Sequence, residues 1–137
     1  MDIPKDIVEF RSERFAPVLS EERQVSPGVY GAELAFWLCA ELARHGVATS
    51  YPRSEDWGWY LEFATDSGSE FAVHCGNIGG ARDRWRLSLR PHARKVFGRD
   101  KPPYSDAAPL LSAIRLAVES VAQPADIDWL YGEGDSA

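Results

Sequence analysis

The sequence predicts an α+β fold: an antiparallel sheet of about five strands with two helices packed on one face, in the order strand, helix, four strands, helix. Three observations carry that reading. Residues 57–65 and 69–77 alternate apolar and polar on either side of Asp66-Ser67-Gly68, as a hairpin does. Residues 84–90 alternate again, with Trp85, Leu87 and Leu89 on one side and arginines on the other. Two stretches, one opened by Ser26-Pro27 and closed by Gly46, the other running from Ser105 to Pro124, carry apolar residues at helical spacing.

Taken in order, residues 7–15 alternate, with Val8 and Phe10 on one side and Glu9 and Arg11 on the other, which suggests an edge strand ended by Pro17. Residues 19–24 read as a polar connection. Ser26 has the chemistry of a helix cap, and Pro27 suits the first turn because its missing N–H costs nothing there. Leu34, Ala35, Leu38, Cys39 and Leu42 then share the core face, while Tyr30 and Trp37 fall on a charged flank with Glu33, Glu41 and Arg44. Residues 47–51 are a short strand candidate, and Pro52-Arg53-Ser54 a turn.

The central hairpin selects its own register. A three-residue loop with Gly68 in the left-handed position sets Thr65 against Ser69. The pairs Phe63–Phe71, Leu61–Val73 and Trp59–Cys75 follow, and each is apolar. A slip by one residue would mix the two faces. Beyond it, residues 76–81 are a glycine-rich connection, residues 92–104 a basic loop, and residues 126–131 a last short strand or a cover. Leu110, Ile114, Val118 and Val121 make the apolar stripe of the second helix. The reading is one globular domain over residues 1–131 with a disordered acidic tail at 132–137.

With 137 residues, 45% of them hydrophobic and 26% charged, the chain has the composition of a soluble globular protein. Five Trp and six Phe can anchor a core. Each buried ring contributes roughly 4–6 kcal/mol before entropy is subtracted, so no disulfide or metal staple is required. Cys39 and Cys75 have neither metal-ligand nor disulfide-framework spacing, and residues 1–6 lack the apolar run of a signal peptide, which together suggest a reducing, cytoplasmic setting. Net charge is −6, but residues 82–101 hold eight Lys or Arg against two Asp, a local balance of +6 that leaves −12 for the rest. An acidic whole disfavours general adhesion to nucleic acid or anionic membrane and leaves a local basic patch.

The runs Ser26-Pro27-Gly28-Val29-Tyr30-Gly31, Glu55-Asp56-Trp57-Gly58-Trp59 and Cys75-Gly76-Asn77 resemble those of a group of small, uncharacterised bacterial proteins, over roughly residues 15–131. In that group an Asn stands where Ser26 is. The resemblance implies a bacterial single-domain protein and no mechanism. Arg (12) in excess of Lys (3) fits a GC-rich bacterial genome.

Several constellations invite a functional reading. If odd residues of the hairpin face the core, the even ones form a wet face on which Tyr60 lies across from His74, with Arg86 on the following strand and Glu62, Glu70 and Arg90 around them. That face is either solvated cross-strand pairs or a polar binding platform centred on Tyr60, His74 and Arg86. Tyr30 and Trp37 are either covered by another segment, for instance Trp129 and Tyr131, or form a partner-facing stripe. His74 and Cys75 are adjacent but point to opposite faces of a strand, so they do not form a base–nucleophile pair. Cys75 reads instead as a small buried group against Trp59. Glu55 and Asp56 beside two tryptophans resemble a sugar cleft in composition, yet adjacent carboxylates rarely reach the separation of roughly 5–9.5 Å that hydrolysis needs. A turn role for Asp56 and a core role for Trp57 and Trp59 fit better, though Asp56, Trp57, His74 and Asn77 could line a pocket rim. His45, His74 and His92 lie in separate elements, so neither a metal nor another cofactor is expected.

The expected function is a non-enzymatic, cytoplasmic protein-interaction module with a protein partner and no catalytic residues. Two alternatives stand beside it: a small-molecule-binding protein or hydrolase at Asp56, Trp57, His74 and Asn77, and nucleic-acid binding through the basic segment from Arg84 to Lys101, including Arg94, Lys95 and Arg99.

Overall fold

The computed structural model describes residues 6–91 and 104–130. Six strands form one antiparallel sheet: β1 (Ile7–Arg11), β2 (Arg53–Glu55), β3 (Gly58–Ala64), β4 (Glu70–Asn77), β5 (Arg84–Pro91) and β6 (Ile127–Leu130), with spatial order β2-β3-β4-β5-β1-β6. Two helices, α1 (Ala32–Arg44) and α2 (Ala108–Glu119), cover one face. The fold is α+β, as the patterning implies.

The central register is the one that side-chain alternation demands. Trp59 pairs with Cys75, Leu61 with Val73 and Phe63 with Phe71, and the loop closes with Gly68 at φ 96°. β5 then adds Leu87 opposite Cys75 and Leu89 opposite Val73. Leu61, Val73, Trp85, Leu87 and Leu89 are all buried under the helices, packed with Leu34, Leu38 and Leu42 of α1 and Leu110, Ile114 and Val118 of α2. Because these rows meet only when odd residues of β3, β4 and β5 face inward, one register satisfies all three strands at once.

Four expectations need correction. β1 is not an edge strand. It lies between β5 and β6, because residues 127–130 return to pair with its outer side, Val8 opposite Trp129 and Phe10 opposite Ile127. The short strand at residues 47–51 is instead β2, at residues 53–55. Val47 serves to end α1: its N–H bonds the Leu42 carbonyl and the Gly46 N–H that of Ala43, with Gly46 at φ 84°, a left-handed helix stop. With the chain so turned, the Ser50 N–H makes a single backbone bond to the Glu62 carbonyl of β3, and the regular ladder runs only from Arg53.

Ser26 does not cap α1. Pro27 and Gly28 form a tight turn that bridges Ser26 to Val29, with Gly28 at φ 73°, the geometry Pro-Gly favours. The helix begins five residues later, at Ala32, after Gly31. Likewise α2 does not begin at Ser105. Residues 104–107 are a 3₁₀ turn, and Asp106 accepts a hydrogen bond from the Ser69 hydroxyl, tying that turn to the central hairpin. The expected basic side chains Arg94, Lys95, Arg99 and Lys101, along with His92, Tyr131 and the acidic tail, lie outside the described residues.

Candidate functional site

The outer face of the sheet is built from the even residues of β3, β4 and β5. Tyr60 is opposite His74, and His74 is opposite Ser88. The expected neighbour Arg86 stands two residues further on, opposite Gly76, and its guanidinium is held by Glu9 of β1. Arg90, opposite Ala72, is the cation whose field reaches His74. Ser88 and Ala72 sit in the middle of this face and are nevertheless buried.

The principal departure from expectation is Trp57. It is not a core residue. Asp56 and Trp57 form the two-residue turn between β2 and β3, closed by the pair Glu55–Gly58. From that turn the indole folds back over the outer face and stacks on the His74 ring, centroids 4.3 Å apart and planes 29° apart, with the Tyr60 ring 5.6 Å away. One side of the indole is thus applied to the sheet while half its surface, 51%, stays open to solvent. The aromatic cover and the Arg90 charge both oppose an imidazolium. Burial, then Arg90, pulls the His74 pKa from 6.5 down to about 4, so the ring is neutral at pH 7. Arg53 and Glu62, paired at 3.1 Å, border the cluster on the β2 side.

The other candidates are placed elsewhere. Asn77 has its amide fully engaged: its oxygen accepts from the Tyr30 N–H, and its NH₂ donates to the carbonyls of Gly28 and Ala81. It staples the glycine turn before α1 to the end of β4. Asp56 offers its backbone carbonyl to the Ser26 hydroxyl, which ties the same turn to the β2–β3 loop.

Tyr30 precedes α1 rather than lying on it, and it is buried. Its hydroxyl bonds Glu21, and the Arg82 guanidinium lies 5.8 Å from its ring. That hydrogen bond lowers the Glu21 pKa and raises that of Tyr30. Trp37 packs against Phe15 at 4.9 Å, with Arg14 at 5.9 Å from its ring. Among the described residues the cover over these two rings is therefore Arg14, Phe15, Glu21 and Arg82, and not Trp129, which lies under Arg115, 4.5 Å away. Nothing periodic marks residues 14–21 as a cover, since their contacts are made one residue at a time.

Cys75 is buried on the helix side, opposite to His74, and burial raises its pKa. The two side chains are thus separated by the sheet itself. Hollows among the described residues occur elsewhere. One of about 10 Å³ is lined by core residues such as Val73, Leu89 and Ile114, and an open cleft of about 430 Å³ lies between α2 and β6 at Glu119, Ile127 and Trp129. Neither is lined by Trp57, Tyr60 or His74. Among the described residues no three His, Cys, Asp or Glu side chains converge as metal ligands, and no helix is long and apolar enough to cross a membrane.

An α+β sheet with one helix-covered face and one aromatic–arginine face is thus the class that the fold and site define. Comparison with protein-family models, curated proteins and solved structures finds no match for the chain.

Proposed function

We propose that this protein is a non-enzymatic interaction module that docks an acidic segment of a protein partner on the outer sheet face. The observation that carries the reading is the half-exposed Trp57 ring anchored on neutral His74, with Arg90 beside it. An aromatic already held by stacking loses little freedom when a partner covers it, and a flanking guanidinium supplies both charge and direction. Arg90 has no ion pair among the described residues, whereas Arg86 and Arg53 are held by Glu9 and Glu62. Burial of Cys75 on the far side of the sheet from His74 argues against thiol chemistry, and an imidazole of such low basicity is a weak general base. Two free cysteines support a reducing, cytoplasmic setting.

The test compares wild type with Trp57→Ala and Arg90→Glu. Cross-linking in cells followed by mass spectrometry should identify a partner lost from both variants, and the purified pair should bind less tightly as salt is raised. The same proteins recovered with wild type and with the Trp57→Ala, Arg90→Glu double variant would overturn the reading.

A second reading rests on the same open indole face, which suits a planar or sugar ring, with Asp56 beside it in the turn. Thermal-shift screening of metabolites and sugars tests it: a shift abolished by Trp57→Ala would replace protein docking with small-molecule binding. Strong, salt-sensitive binding of single-stranded oligonucleotides would instead favour the nucleic-acid alternative.

A further inference from the structure

We propose that the protein forms a two-fold dimer by pairing the β2 strands of two copies edge to edge, which joins the two sheets into one of twelve strands. This goes beyond the docking reading and stands independently of it.

β2 is the end strand of the sheet, and Arg53, Ser54 and Glu55 are all exposed. Its pairing with β3 closes at Glu55–Gly58 across a two-residue turn. Alternation along an antiparallel ladder then points the backbone N–H and C=O of Arg53 and Glu55 toward β3 and those of Ser54 outward. An outward, unpaired backbone donor and acceptor on an uncovered edge is a template for another strand.

The residues on either side of Ser54 decide which strand fits. An antiparallel pairing centred on Ser54 places Arg53 of each copy opposite Glu55 of the other, so the two-fold axis generates two opposite-charge cross-strand pairs from one three-residue sequence. Glu55 has no ion pair among the described residues, and Arg53, which reaches Glu62 at 3.1 Å, would bridge both carboxylates.

The neighbouring positions accept the same register. Proline at position 52 has no N–H to leave unsatisfied, and the Asp56 carbonyl is already taken by the Ser26 hydroxyl. A three-residue pairing alone falls short of the roughly 1,200 Å² of a stable interface. Exposed rings flank it. Tyr51, 82% exposed, precedes the strand, and on the helix side Phe36, 54% exposed, lies 6.2 Å from Trp59, the residue paired with Ser54. The indole N–H of Trp59 is buried with no partner among the described residues.

Sedimentation equilibrium over a wide concentration range tests the dimer. Wild type is expected to pass from 15.3 kDa to twice that mass as concentration rises. Arg53→Glu alone and Glu55→Arg alone each put like charges opposite each other and should remain monomeric. The double variant restores opposite charges in the same places and should dimerise again. An equimolar mixture of the two single variants should form the mixed dimer, since every cross-strand pair is then Arg with Glu. Recovery in the double variant separates the effect from misfolding. Wild type that stays monomeric throughout, or single variants that dimerise as wild type does, would overturn the proposal.

Discussion

The indole of Trp57 lies on the imidazole of His74 at 4.3 Å, and the two residues reach each other from a turn and from the middle of a strand seventeen positions away. The contact makes a half-exposed aromatic part of a structured surface, and it ties the state of the surface to the protonation of one ring.

That linkage has a defined sign. The imidazole titrates near 6.5 when unfolded and near 4 when folded, so below 6.5 the unfolded chain binds more protons. The stability linked to this group is fully present above pH 6.5 and lost progressively as pH falls to about 4. The ring is only part-buried, so the loss is discounted to roughly 1–2 kcal/mol. Urea midpoints at pH 7 and pH 4.5 measure it, and His74→Leu should remove this part of the pH dependence.

Asn77→Ala should destabilise the protein by roughly 2–4 kcal/mol, since it removes three hydrogen bonds and leaves the Gly28 and Ala81 carbonyls and the Tyr30 N–H without this partner. Equilibrium denaturation reads the loss. Asn77→Asp should not recover it, because one carboxylate oxygen still accepts from Tyr30 but the other is set against the Gly28 and Ala81 carbonyls.

Gly31→Ala should cost at least about 2 kcal/mol. The backbone there has φ 145°, and an added Cβ would stand 2.7 Å from the Cys75 carbonyl oxygen, in rigid strand backbone that cannot yield. Gly46→Ala is the comparison, measured by thermal denaturation. It has φ 84° but open space around it, so it should bear the conformational cost alone, roughly 1 kcal/mol.

The two thiols should react unequally. Cys39 is half-buried and donates weakly to the Ser50 carbonyl, while Cys75 is enclosed and its thiolate is disfavoured by burial. A thiol reagent at pH 8 should modify Cys39 in the native protein and reach Cys75 only on unfolding. Mass spectrometry of the labelled peptides distinguishes them.

Legibility differed between the fold and the site. The hairpin of β3 and β4 was readable because each strand's alternation names a face, and only one register keeps both faces pure. The dry row of Trp85, Leu87 and Leu89 was readable for the same reason. Trp57 was not. Its place in the alternation suggests a strand residue of the dry row, yet the β2–β3 turn begins at Asp56, and a turn residue is free to leave the alternation. Tyr30 reads as a helix residue because Ser26-Pro27 resembles a helix start, whereas Gly28 and Gly31 carry backbone angles that delay the helix to Ala32.

By itself the chain's pattern of side chains determined the α+β class, the pairing of the central strands and the end of α1 at Gly46, since each depends on neighbours a few residues apart. The tertiary structure alone decided that β1 is interior and β2 is the open edge, that Glu21 and Arg82 close over Tyr30, and that Trp57 covers His74. Those outcomes follow from contacts between segments distant in sequence, such as the Trp85 indole N–H bonded to the Ser12 carbonyl, and single long-range contacts leave no periodic trace in the residues that make them.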